Sequence, residues 1–183
     1  MARIPAITQK ESLPPHQQQI YDAIAESRGR ISGPFTILLN SPEVAGRVAH
    51  LGAYIRFQST LKPMIRELAI LTTARELNCQ YEWTAHVPLA RQAGVREEAI
   101  ASVGNRKAPE DLTSEEALIV QYGQELFRTQ HVSDATFQKA LAEFGVQGIT
   151  ELTATMGYYG MLAFALNTFE VELGPGVTPL LPL

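Results

Sequence analysis

Strict alternation of apolar and polar residues, the pattern of a half-buried strand, is almost absent from these 183 residues, whereas apolar residues recur at three- and four-residue intervals nearly throughout. A chain patterned this way closes its core by packing helices on helices, so an all-α fold is expected. Prolines, glycines and capping residues then set the segment ends. Pro14-Pro15 opens a first helix to about Ser27, with Ile20, Tyr21 and Ile24 on its apolar face. Residues 28–39 contain Gly29, Gly33 and Pro34 and read as an irregular connection. Ser41-Pro42-Glu43 supplies an N-cap, a first-turn proline and an acid near the positive helix end, starting a helix to about Ser59. Lys62-Pro63 starts the next, which carries Glu67 and runs to about Asn78.

A further helix reaches Ala93 and stops at Gly94, with a bend expected at the internal Pro88. A short helix spans Arg96 to Val103. Thr113-x-x-Glu116 fits a capping box ahead of a long amphipathic helix to about Thr129. Ser133-Asp134 caps another that ends at Gly145. The last, about Gln147 to Val171, is apolar almost all round, which suits a core position, a subunit interface or both, and hence a homo-oligomer. The result is seven to eight helices in a single domain over 1–183. It comprises an N-terminal arm and loop over about 1–40, a core over about 41–171 and a C-terminal arm over 172–183 that could lie on a neighbouring subunit.

Charge and cysteine content narrow the function. A net charge of −4 leaves no footprint for nucleic acid, and no lysine- or arginine-rich block points to a membrane surface. One cysteine rules out a disulfide within the chain, so packing alone holds the fold and a cytoplasmic setting is expected. The start of the chain lacks the apolar run of a signal peptide, and the apolar stretch from Met156 to Leu166 is too short to cross a bilayer.

Most of the chemical information lies in residues 66–94. Cys79, Glu82 and His86 fall at i, i+3 and i+7 on one helical stripe that continues into Leu89 and Ala93, opposite Gln80, Thr84, Pro88, Arg91 and Gln92. A glutamate and a histidine aimed inward need a reason to be there. At i, i+4 the Glu82 carboxylate can hold one imidazole nitrogen and fix the tautomer, leaving the other nitrogen for general acid/base work. The plainer reading is an ordinary helix-surface pair. Glu67 is either a third member of that relay or a first-turn acid serving the helix dipole. Cys79 is either a redox thiol or a small core residue.

The pattern Arg66-Glu67-Leu68, Cys79, Glu82, His86, then Ala90, Gly94 and Val95, resembles the carboxymuconolactone decarboxylase family, whose other well-known branch is alkyl hydroperoxidase D. The resemblance is most specific over about residues 47–130. It implies an all-helical, alkyl hydroperoxidase D-like bundle assembled as a trimer or hexamer, with the site between helices near subunit contacts. The peroxidase branch carries a glutamate, a Cys-x-x-Cys pair and a histidine four residues later. Here Glu67, Cys79 and His86 match, but Glu82 replaces the second cysteine, and a carboxylate can neither attack peroxide nor close a disulfide.

The resemblance therefore implies the decarboxylase-type branch: a cofactor-free enzyme acting on a small carboxylated lactone or related cyclic acid, with His86, Glu82 and Glu67 as catalytic residues. An acidic substrate needs a guanidinium. Arg30, Arg47, Arg56 and Arg66 are available, and Arg56, among aromatic residues, is preferred. His50, Tyr159 and Cys79 complete the candidate substrate contacts, and Tyr158 and Asn167 could line the same pocket. No spacing supplies a convincing metal site. The alternatives are a thiol peroxidase working through Cys79, and an oligomeric module that binds an acidic metabolite without turnover.

Overall fold

The computed structural model describes residues 2–107 and 111–182; Met1 and Leu183, at the ends of the two expected arms, and positions 108–110 of the expected core lie outside them. Among the described residues there are eight α-helices and no strand. The chain forms two compact units, one of Met1–Ser59 with Phe164–Val177, the other of Thr60–Ala163 with Thr178–Leu183.

In the first unit, a 3-10 turn at Pro15–Gln17 leads into α1 (Gln18–Arg28), followed by α2 (Pro34–Leu38) and α3 (Pro42–Phe57). α2 corrects the expectation of an irregular connection over 28–39. Gly33 turns the chain at φ 56°, Pro34 takes the first helical position that its fixed φ suits, and Phe35 and Ile37 are buried. Burial of those two side chains outweighs the local turn signals. Ser41 stands at the N-cap of α3 as expected, yet its side chain makes no capping hydrogen bond.

The second unit is built around α4 (Pro63–Glu76), whose residues 67 to 74 are buried without interruption. A helix enclosed on all sides must satisfy its polar side chains internally. The hydroxyls of Thr72 and Thr73 do so by donating to the carbonyls of Leu68 and Ala69, at 2.8 and 2.9 Å. α5 (Gln80–Gln92), α6 (Glu97–Gly104) and α7 (Ser114–Thr129) pack on it. Thr113 and Glu116 form the expected capping box, and Arg96 donates to Glu116 from the start of α6, at 3.1 Å from Nε.

α8 (Asp134–Thr168) is broken at Gly145, which adopts φ 66° where the sequence predicts a stop. In this unit α8 buries Leu152, Met156, Tyr158, Tyr159 and Leu162 and leaves Met161 exposed. Within the described residues no helix is long and apolar enough to cross a membrane.

α7 can approach α4 closely because Gly123 has no side chain. A Cβ there would stand 2.7 Å from Cγ2 of Thr72 and 3.0 Å from Cε of Met156. Thr72 is β-branched, buried and stiff, so it cannot swing aside. Gly123→Ala is therefore expected to lower stability by about 1–3 kcal/mol despite alanine's better helix propensity. Chemical denaturation checks this; unchanged or raised stability would contradict the close approach.

The chain end returns to α5. Leu180 donates its N–H to Oγ1 of Thr84 at 3.1 Å and accepts from the indole Nε1 of Trp83 at 3.1 Å, while Leu181 is buried in the core. With its amide turned to match the surrounding donors, Gln80 accepts from the N–H groups of Leu180 and Leu181. Residues 178–182 thus lie along the first turns of α5 in the same chain. They explain why Thr84, placed by the sequence on the outer face, is buried.

Candidate active site

The linker between α4 and α5 is only three residues long. Asn78 turns in the left-handed region at φ 49°, and the N–H of Cys79 returns to the carbonyl of Ala74 at 2.8 Å. This tight reversal lays α5 back along α4 and brings three titratable side chains together. Nδ1 of His86 lies 2.8 Å from Oε2 of Glu67, and its Nε2 lies 3.4 Å from Oε2 of Glu82. All three are buried, at 7%, 7% and 4% exposure. Tyr159 of α8 sets its ring edge-to-face with the imidazole, centroids 5.0 Å apart, and Tyr158 packs edge-on against Tyr159 at 5.3 Å.

Donor and acceptor counting assigns roles within the cluster. An ionised carboxylate can only accept, so Nδ1 donates its N–H to Glu67, which fixes the ring's orientation and tautomer. Nε2, 3.4 Å from Oε2 of Glu82, is the ring nitrogen left to exchange a proton with that carboxylate. The arrangement differs from the sequence expectation in one respect. The inter-helix partner Glu67, not the i, i+4 neighbour Glu82, makes the short hydrogen bond, because α4 and α5 lie close together. Glu67 also falls in the second turn of α4 and not the first, so the helix-dipole reading does not apply. Burying a lone carboxylate is costly, and the shared ring and its proton offset that cost.

Cys79 occupies the N-cap of α5 with no exposed surface. Burial pushes its thiol up to about 12, with the Glu82 charge acting in the same direction and the Glu82 and Tyr81 backbone groups opposing. At neutral pH it is a protonated, inaccessible thiol, and the reactive species is the thiolate. A thiol-alkylating reagent is expected to label it only after denaturation; rapid labelling of the native protein would contradict this placement.

The other candidate residues separate. Arg66, next to Glu67 on α4, places Nε 3.9 Å from Glu67 Oε1. Arg47 is exposed and pairs with Glu43 at 3.4 Å. Arg56 and His50 belong to the first unit. The Arg56 guanidinium lies 5.3 Å from the centre of the Phe57 ring. His50 is exposed and lines a groove of about 530 Å³ between α1 and α3, with Ile20, Ala23, Ile24 and Ala53. Asn167 is exposed. Trp83 and the returning tail, which sequence reasoning did not connect with α5, hold the helix that carries Glu82 and His86. Among the described residues no group of three or more His, Cys, Asp or Glu side chains is placed to hold a metal ion.

Residues 42–122 match the model of the carboxymuconolactone decarboxylase family. No curated protein matches the sequence. Similar solved structures include a protein of unknown function from Agrobacterium tumefaciens, described as a candidate antioxidant defence protein AhpD. It is 19% identical over 78% of this chain and 99% of its own, with a TM-score of 0.67. A debrominase, Bmp8, solved as a variant with 2,3,4-tribromopyrrole, is 10% identical over 96% of this chain and 95% of its own, with a TM-score of 0.74. A peroxidase-related protein from Silicibacter sp. TM1040 is 14% identical over 96% of this chain and 95% of its own, also with a TM-score of 0.74. At these identities the likeness speaks to the fold. The paired helices that bring Glu67, Glu82 and His86 together lie wholly inside residues 42–122, the stretch that matches the carboxymuconolactone decarboxylase family model, and the all-helical fold is the one shared with these alkyl hydroperoxidase D-like structures.

Proposed function

We propose that this protein is a cofactor-independent enzyme that decarboxylates a small carboxylated lactone or related cyclic acid by general acid/base chemistry at His86. The observation that carries the reading is a buried imidazole with a carboxylate at each ring nitrogen, 2.8 Å away on one side and 3.4 Å on the other. In the proposed cycle the substrate carboxylate leaves as carbon dioxide, and the electron pair of the broken carbon–carbon bond moves into a neighbouring carbonyl as an enolate. The proton shared by Nε2 and Glu82 passes to the vacated carbon, and solvent restores it. Glu67 holds the ring throughout, and the dry surroundings strengthen each of these interactions.

A thiol peroxidase working through Cys79 is the less favoured reading, since the thiol is buried, is pushed up to about 12 and has no second cysteine to resolve it. Assembly as a homo-trimer or homo-hexamer belongs to the same proposal, supported by the exposed Met161 and Phe164 of α8. Incubation with a panel of lactone carboxylic acids, read by carbon dioxide release, tests the activity. Release from at least one acid supports it. Peroxide consumption with loss of the free thiol, and no carbon dioxide from any acid, would overturn it.

A further inference from the structure

We infer that Arg66 is the residue that recognises the carboxylate of the substrate, an assignment that rests on the acid/base reading of the Glu67–His86–Glu82 cluster. Two carboxylates beside His86 make this a poor place for an acid unless a cation stands within the same group of side chains. Arg66 is that cation. Its side chain is 15% exposed, and Nε lies 3.9 Å from Oε1 of Glu67, the oxygen that does not hold the imidazole. Arg66 Nε is also fully buried and has no hydrogen-bond partner among the described residues. A buried, unmatched guanidinium N–H is costly to keep, and a carboxylate is the acceptor that suits it. One carboxylate oxygen can take the Nε–H while the other takes a terminal N–H in the side-on, two-bond arrangement.

The other arginines of this unit use terminal nitrogens on partners within the protein. Arg91, Arg96 and Arg128 each use Nε and a terminal nitrogen on one glutamate: Glu97, Glu116 and Glu76, respectively. Arg75 also has a buried Nε without a hydrogen-bond partner among the described residues, but its Nη1 donates to Asn78 at 3.1 Å and it lies two turns beyond Glu67 on α4. Another buried polar atom without a partner, Oγ1 of Thr155, lies on α8 one turn before Tyr159, whose ring packs on His86. Hence a polar ligand suits these helices better than a wholly apolar one. Arg56, the guanidinium preferred from the sequence, has no such unsatisfied buried group among the described residues.

The test compares two probes of equal shape and different charge, a γ-butyrolactone carboxylate and the matching neutral carboxamide, by calorimetric titration. Wild type is expected to bind the acid about 10- to 100-fold more tightly than the amide, the range of a charge-assisted hydrogen bond. Arg66→Gln should lose that preference without weakening the amide, and Arg66→Lys should recover only part of it, because an ammonium cannot offer the planar fork. Arg66→Gln should also melt no lower than wild type, since it removes an unmatched buried donor. A purely structural role predicts lower melting with the acid preference intact. Absence of an acid preference in wild type, or its survival in Arg66→Gln, overturns the assignment. His86→Gln should keep the preference while losing turnover. If that variant turns over normally, the acid/base reading fails, whatever Arg66 does.

Discussion

Replacing His86 with glutamine is expected to leave a folded, helical protein whose turnover of its acid substrate falls by about a hundred- to ten-thousand-fold, the usual contribution of a positioned proton-transfer group. Glutamine is a better choice than alanine here. Its amide can donate to Glu67, which would otherwise be a buried carboxylate 7% exposed with no donor at 2.8 Å. Glu82→Gln should depress turnover by a similar factor, because an amide cannot exchange the proton shared with Nε2. Glu67→Gln should retain more activity, since its task is to hold the ring. Steady-state kinetics beside circular dichroism of each variant separate these outcomes. Full activity in His86→Gln with unchanged secondary structure would remove the imidazole from the mechanism.

Truncating Trp83 to alanine is expected to cost about 3–5 kcal/mol, the range for deleting a large buried aromatic side chain. Trp83 is 2% exposed, a Cβ on Gly104 would approach its ring to 3.0 Å, and its indole N–H anchors the carbonyl of Leu180. Trp83→Phe keeps most of the apolar burial but leaves that carbonyl without its donor, for a smaller loss of about 1–3 kcal/mol. Denaturant titration measures both. A cost below about 1 kcal/mol for Trp83→Ala would mean that the tail and α5 do not depend on this anchor. Trp83 is also the single tryptophan of the chain, so its fluorescence reports whether residues 178–182 remain docked.

Much of the helical framework was legible because its signals are local. Pro42 and Pro63 begin α3 and α4, Thr113 and Glu116 cap α7, and Gly94 and Gly145 turn with positive φ at the expected stops. The spacing of Glu82 and His86 likewise placed both side chains inward. What the sequence hid depends on approach between segments distant along the chain. α2 forms because Phe35 and Ile37 find burial, against local glycine and proline signals. Thr84 is covered by a tail almost a hundred residues away, which no helical period can reveal. The 2.8 Å contact of Glu67 with His86 depends on how α4 and α5 come together, so spacing favoured the i, i+4 partner instead. The buried, unmatched Nε of Arg66 is likewise a property of packing and leaves no trace in composition.

Turnover of a decarboxylated substrate in heavy water puts the central claim to its most direct test. If the proton held between His86 and Glu82 is delivered to carbon, the product carries one deuterium, in a single configuration, at the position that lost carbon dioxide, and His86→Gln forms that product far more slowly. Product without deuterium at that carbon, or labelled in both configurations at an undiminished rate in the variant, would contradict the account.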